Sequence, residues 1–167
     1  MTVTQHRKSV IEFPSELEVL ITREFEAPIE LVFDVLTKTE HVHHTIAPFG
    51  EVVKECSFDA RVGGNYRYIF VADDGTDMSF HGDFLEVEQP THIVDTWLYD
   101  GWPDAQAIET VDLHEADGVT TVKWRLTFSD TAGRGHMTKF DGIEANFDNV
   151  EEYLRSLIGP EMPASSG

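Results

Sequence analysis

Between residues 52 and 128 apolar and polar side chains alternate. Tyr66, Tyr68 and Phe70 share one parity; so do Ile93, Asp95, Trp97 and Tyr99, and again Val122, Trp124, Leu126 and Phe128, with Lys123 and Arg125 on the opposite face. Period-two alternation marks half-buried antiparallel strands. It predicts strands over 52–58, 65–72, 78–87, 92–99, 107–115 and 119–128, with turns at Gly63-Gly64, Asp74-Gly75, 100–104 and Asp117-Gly118. An earlier β-branched and aromatic run, 18–25, reads as a further strand. Ala27-Pro28 then opens a helix whose apolar face is Ile29, Val32, Phe33 and Leu36, with Glu30 at its positive end. Thr39 is placed to cap a second short helix ending near His44, before Pro48.

Near the C-terminus the period changes. Phe140, Ile143, Phe147, Val150, Leu154 and Leu157 are spaced by three and four, one stripe of a helix over 137–158 that Gly159-Pro160 ends. Glu144, Asp148, Glu151, Glu152 and Arg155 fall on the face expected to meet water, and Asp141 with Glu144 fits a capping box. The order is strand, two short helices, six strands, long helix. It predicts an α+β fold in which about seven antiparallel strands form a curved, twisted sheet, its apolar face covered by the terminal helix. Residues 1–16 read as a loose lead-in, 17–158 as one domain and 159–167 as a tail.

Charge narrows the function. There are 12 Lys plus Arg against 31 Asp plus Glu, a formal charge of −19. Such a surface repels phosphate backbones and anionic lipid heads, so neither nucleic acid nor a membrane is expected as partner. No run of about 18 apolar residues occurs, and the N-terminal residues lack the apolar core of a secretory signal. A lone cysteine, Cys56, excludes an intrachain disulfide and reads as a small core residue. The expected location is the cytoplasm.

Three segments carry a family resemblance. They are Arg23-x-Phe25-x-Ala27-Pro28-x-Glu30-x-Val32-Phe33, then Phe58-Asp59-x-Arg61-x-Gly63-Gly64-x-Tyr66-Arg67-Tyr68, then Asp74-Gly75 with Gly82-x-x-Leu85-Glu86-Val87-x-x-Pro90. In order and spacing they resemble the stand-alone domains similar to activator of heat shock protein 90 ATPase. These belong to the START-like, birch-pollen-allergen-like (SRPBCC) superfamily. The resemblance implies a helix-grip fold with a cavity between sheet and long helix. Where that family commonly has two tryptophans after Glu40-His41, this chain has Val42-His43-His44-Thr45-Ile46-Ala47-Pro48. No ligand preference is therefore carried over.

The candidate chemistry follows from parity. Tyr66, Tyr68, Phe70, Trp97, Trp124, Phe147 and Val150 are the candidate ligand-binding residues, forming either an ordinary packed core or the lining of a cavity. Asp95 and Glu109 share parity with apolar neighbours and are the weak catalytic candidates. Buried, they would be general acids or bases; the commoner alternative is that they sit near a strand end or pair with an arginine. His41, His43 and His44 cluster, but no His-Glu-x-x-His or cysteine group accompanies them, so no metal is assigned, and no cofactor. His81 is expected to face solvent. No G-x-x-x-x-G-K-[ST] or G-x-G-x-x-G motif is present, which argues against nucleotide binding. The leading expectation is a binding protein for a lipophilic or aromatic small molecule. An enzyme of the polyketide cyclase or hydratase type, using the pocket carboxylates, is the alternative. A co-chaperone-like stress protein comes last, since the eukaryotic activators carry a further domain. The oligomeric state is open, a homodimer included.

Overall fold

Alternation in the chain becomes one continuous antiparallel sheet in the computed structural model, which describes residues 2–6, 9–101, 106–132, 134 and 142–158. The strands are β1 (Thr2–His6), β2 (Ser9–Ser15), β3 (Glu18–Phe25), β4 (Val52–Phe58), β5 (Asn65–Val71), β6 (Asp77–Glu88), β7 (His92–Tyr99), β8 (Gln106–Ala116) and β9 (Val119–Phe128). Helices α1 (Ile29–Thr37) and α2 (Thr39–Thr45) follow β3, and α3 (Gly142–Ile158) follows β9. The sheet order is β1-β2-β3-β9-β8-β7-β6-β5-β4, so the chain leaves β3, passes through the two short helices to the far edge, and returns strand by strand to β9. This is the helix-grip arrangement, with nine strands rather than about seven.

The extra strands come from the lead-in. Residues 9–15 pair with β3 and residues 2–6 pair with β2, where a loose segment was expected. Val10, Ile11 and Phe13 supply the β propensity, and Pro14 sits next to a break in the β2–β3 register between Glu12 and Ser15, where a missing N–H is tolerated. Register shifts also interrupt β4–β5 at Val53/Glu55 and β6–β7 at Phe84/Glu86. Such irregularities bend strands and add twist. Turn chemistry follows the expectation: Gly63, Gly75 and Gly118 have positive φ, as does Asp117 at 53°. Gly64 has a different reason. A Cβ there would lie 2.1 Å from the Asp59 carbonyl oxygen.

The inner face is apolar. Val19, Ile21 and Phe25 of β3, Val122, Leu126 and Phe128 of β9, and Phe147, Val150 and Leu154 of α3 are all buried. Three expectations for the helices need correction. Leu157 is 43% exposed, because Tyr153 and Ile158, not Leu157, pack onto the core in the last turn. Glu144 is buried rather than solvated, for a reason given below. Thr39 is not the cap of α2; that position is Lys38, and the Thr39 hydroxyl instead donates to the Phe58 carbonyl and accepts from the Phe58 N–H, tying α2 to β4. Phe140, Asp141, the helix start at 137, the 159–160 stop and much of the 100–104 turn lie outside the described residues. Among the described residues no helix is long and apolar enough to cross a membrane.

Candidate functional site

The concave face of the sheet is not filled. A cavity of about 460 Å³ lies between the strands and α3, and Phe49, 67% exposed, is among its lining residues. Tyr66, Tyr68, Phe70, Trp97, Trp124, Phe147 and Val150 all line it. β5 presents the first three because successive side chains alternate across the sheet. Their rings stack in a row with neighbours: Tyr66 on Phe58 at 5.0 Å, Tyr68 on Phe80 at 5.0 Å, and Phe80 on Trp97 at 5.7 Å. Trp124 of β9 meets Phe147 of α3 edge-on at 5.1 Å, bridging sheet and helix.

Gly82 makes room for this row. Opposite Tyr66 in register, a Cβ at Gly82 would fall 1.8 Å from the Thr96 carbonyl oxygen and 2.7 Å from the Tyr66 ring. That carbonyl accepts the Tyr66 hydroxyl proton at 2.6 Å, with Asp95 Oδ1 3.3 Å from the same hydroxyl.

The cavity wall carries a pair of facing carboxyls. Asp95 of β7 and Glu109 of β8 are directly opposite in register, and both line the wall. Asp95 is 4% exposed and Glu109 half-buried. Burial, then the charge of Glu109 and the hydrogen bond shared with it, holds the Asp95 carboxyl well above the usual range. Burial raises Glu109 too, opposed by hydrogen bonds from Asp95 and from Trp124 Nε1. Both carboxyls are thus held above the usual range, and the hydrogen bond between them runs from Asp95 to Glu109. Burial keeps the Tyr66 and Tyr68 phenols neutral, and Trp97 Nε1 donates to the Tyr68 hydroxyl at 3.3 Å. Each carboxyl faces the other, where pairing with an arginine was one alternative.

The segment from α2 to β4 forms the rim. Val42, Thr45, Ile46 and Pro48 face the cavity, and the Asn149 side chain holds the rim to α3 by donating to the Ala47 carbonyl at 3.0 Å. The histidines turn elsewhere. His41 Nδ1 is 2.8 Å from the Tyr153 hydroxyl, His44 stacks on Tyr153 at 5.0 Å, and His43 is exposed. His81 is 42% exposed and pairs with Asp100 at 2.9 Å. The cation-ligand grouping found among the described residues is a different one, Glu86, Glu88 and His92, on the surface. Its His92 nitrogens are already engaged by Asp112 at 2.6 Å and Glu86 at 2.9 Å. Cys56 packs against the core, and burial lifts its thiol to about 11, which leaves it unreactive.

Sequence reasoning missed what holds the cavity's roof in place. Arg23 is buried on the apolar parity of β3, between Ile21 and Phe25. Its guanidinium reaches three acidic side chains of α3: Glu144 at 2.8 Å, Asp148 at 2.9 Å and Glu151 at 2.9 Å. Ser9 of β2 donates to the same Glu144 oxygen at 2.7 Å. Burial alone would lower the Arg23 pKa, but the hydrogen bonds to Glu151 and Asp148 and the charge of Glu144 outweigh it, so it is raised. Two signals were present in the chain: a charged residue on an inward parity, and acidic residues at 144, 148 and 151 on one helical side.

The family model described as Activator of Hsp90 ATPase homolog 1-like protein matches residues 26–155. No curated protein matches the sequence. Many solved structures share the fold. A protein from Rhodobacter sphaeroides is 20% identical, with a TM-score of 0.79 over 88% of this chain and 97% of the other. A protein from Mycobacterium smegmatis, 17% identical, has a TM-score of 0.75 over 95% and 98%. One from Chromobacterium violaceum, 23% identical, has 0.72 over 84% and 98%. At these identities the likeness is one of fold. With its family segment spanning β4–β9, α1, α2 and most of α3, this chain belongs to the Activator of Hsp90 ATPase homolog 1-like family, a START-like (SRPBCC) domain.

Proposed function

We propose that this domain binds a lipophilic or aromatic small molecule in the cavity between sheet and α3. The observation that supports the reading is the cavity itself: about 460 Å³, walled largely by aromatic and aliphatic side chains, with a few polar groups among them. Small-molecule sites have volumes of roughly 300–1,000 Å³ and the same mixture of apolar wall and few polar groups. Tyr66, Tyr68, Phe70, Trp97, Trp124, Phe147 and Val150 are the proposed contact residues. Burial of an aromatic ligand at about 25 cal/mol per Å² supports micromolar binding, about −8 kcal/mol. The test is titration with the neutral fluorophore N-phenyl-1-naphthylamine. Saturable one-to-one binding with quenching of tryptophan emission supports the proposal, and an absence of saturable binding opposes it.

A second reading rests on the Asp95–Glu109 pair. Two facing carboxyls beside Tyr66, both raised by burial, would supply an acid and a base to a molecule in the cavity. In this reading the domain turns over its ligand by proton transfer. Asp95→Asn and Glu109→Gln would then each abolish turnover while leaving the fold in place.

A further inference from the structure

The cavity wall is lopsided in charge. Asp95, Glu109 and Glu51 line it, and no Lys, Arg or His does so among the described residues. The Asp95–Glu109 pair sets two facing carboxyls among the rings, joined by a hydrogen bond in which Glu109 is the acceptor. Two donors, Asp95 and Trp124 Nε1, reach the Glu109 carboxylate. An ionised carboxylate offers about four acceptor positions, so capacity remains. Around it stand Tyr66, Tyr68, Trp97 and Trp124, whose ring faces carry negative potential.

These features act together on a ligand's charge. A carboxylate-bearing molecule would place a second anion beside Glu109 with no cation to meet it, an arrangement penalised steeply in a low-dielectric site. A neutral molecule offers the ionised form of the pair no opposite charge. An ammonium group supplies the missing opposite charge, donates hydrogen bonds to the free positions and lies against aromatic faces. The surrounding charge of −19 attracts the same class of molecule toward the mouth. We propose that the cavity selects lipophilic amines in their protonated form, with the ammonium seated on the Asp95–Glu109 pair and the apolar body among the rings beneath α3. This rests on the binding reading above and adds the sign of the ligand's charge.

The test compares three probes of one shape: 2-(1-naphthyl)ethylamine, 2-(1-naphthyl)ethanol and 1-naphthylacetate, each titrated by calorimetry. The amine is expected to bind about tenfold tighter than the alcohol, and the acid weakest of the three. In Glu109→Gln the amide oxygen still accepts from Trp124, and the amine should fall to the level of the alcohol. Asp95→Asn serves as a second variant, with circular dichroism confirming the fold of both. Acid binding as tight as amine binding, equal amine and alcohol affinities, or an amine preference that survives Glu109→Gln would each overturn the charge selection while leaving the cavity as a binding site. Failure of all three probes to bind would instead overturn the binding reading.

Discussion

Replacing Arg23 by methionine tests how the roof of the cavity is held. The Arg23 side chain is 1% exposed and Glu144 is 4% exposed, so the pair lies fully inside. Removing the cation leaves the Glu144 carboxylate buried without its guanidinium partner, with the Ser9 hydroxyl donating to it. Breaking a buried pair in this way costs about 3–5 kcal/mol. Asp148 and Glu151 add less than Glu144 does, since Asp148 is 36% exposed and Glu151 also pairs with Arg155 at 2.6 Å. For a domain of this size each kcal/mol lowers Tm by about 2–4 °C, so the loss is roughly 6–20 °C. Urea denaturation followed by circular dichroism measures it, with an unchanged m-value expected. Arg23→Lys should lose a large part of the same stability, because one ammonium cannot reproduce a fork that engages three carboxylates. Arg125→Met is the control: its partner Glu18 and its own side chain are 26% and 41% exposed, and its loss should be about 0–1 kcal/mol. Adding Glu144→Gln to Arg23→Met removes the orphaned charge and should recover part of the stability. A loss from Arg23→Met no larger than that from Arg125→Met would refute the reasoning.

Further predictions concern the site and its pH response. The Asp95 pKa is raised in the fold, so its contribution is fully present below the ordinary carboxylate range and is lost as pH rises toward the folded value. The urea midpoint should therefore decline from pH 5 to pH 8, and Asp95→Asn should flatten that decline; an unchanged slope would count against the raised Asp95 carboxyl. His92 is raised by Asp112 and Glu86, so its smaller contribution is present below about 6.5 and lost above its folded pKa. An NMR titration should place its midpoint above that of a free histidine, and Asp112→Asn should lower it. Gly82→Ala should destabilise the domain by about 1–3 kcal/mol or more and weaken probe binding, since the new methyl collides with the Thr96 carbonyl and the Tyr66 ring. Phe147→Trp should weaken binding of N-phenyl-1-naphthylamine with a stability loss under about 1 kcal/mol, the extra ring entering existing space; a loss well above 1–3 kcal/mol would mean there is no such space.

Strand positions between 52 and 128 were legible because one face of each strand is buried, and burial on one face imposes period two on the sequence. Residues 9–15 were not. That strand lies near the sheet's edge, where most of its described side chains are only half-buried, so its apolar residues did not separate cleanly by parity. The inward placement of Asp95 and Glu109 could be read from the same alternation, but their pairing depends on the β7–β8 register, which connects residues across a loop. The cavity itself is not a property of any segment. It is the space left when the register shifts bend the sheet and Arg23 fixes the distance of α3 from β3. Glu144 was misplaced because its partner is 121 residues away in the chain. Helical periodicity alone assigns such a residue to solvent.

The central claim is that an apolar molecule enters the space between sheet and α3, and methyl-resolved NMR tests it most directly. With methyl groups of Val, Leu and Ile labelled, 2-(1-naphthyl)ethanol is titrated into the protein. The ring current should shift the methyls of Val111, Leu126 and Val150, which line the cavity, and leave those of Leu85 and Ile108, exposed at 46% and 40%, unmoved. Saturating shifts confined to the cavity methyls are the predicted result. Shifts at exposed methyls alone, or no saturable shift at Val111, Leu126 and Val150, would contradict the account.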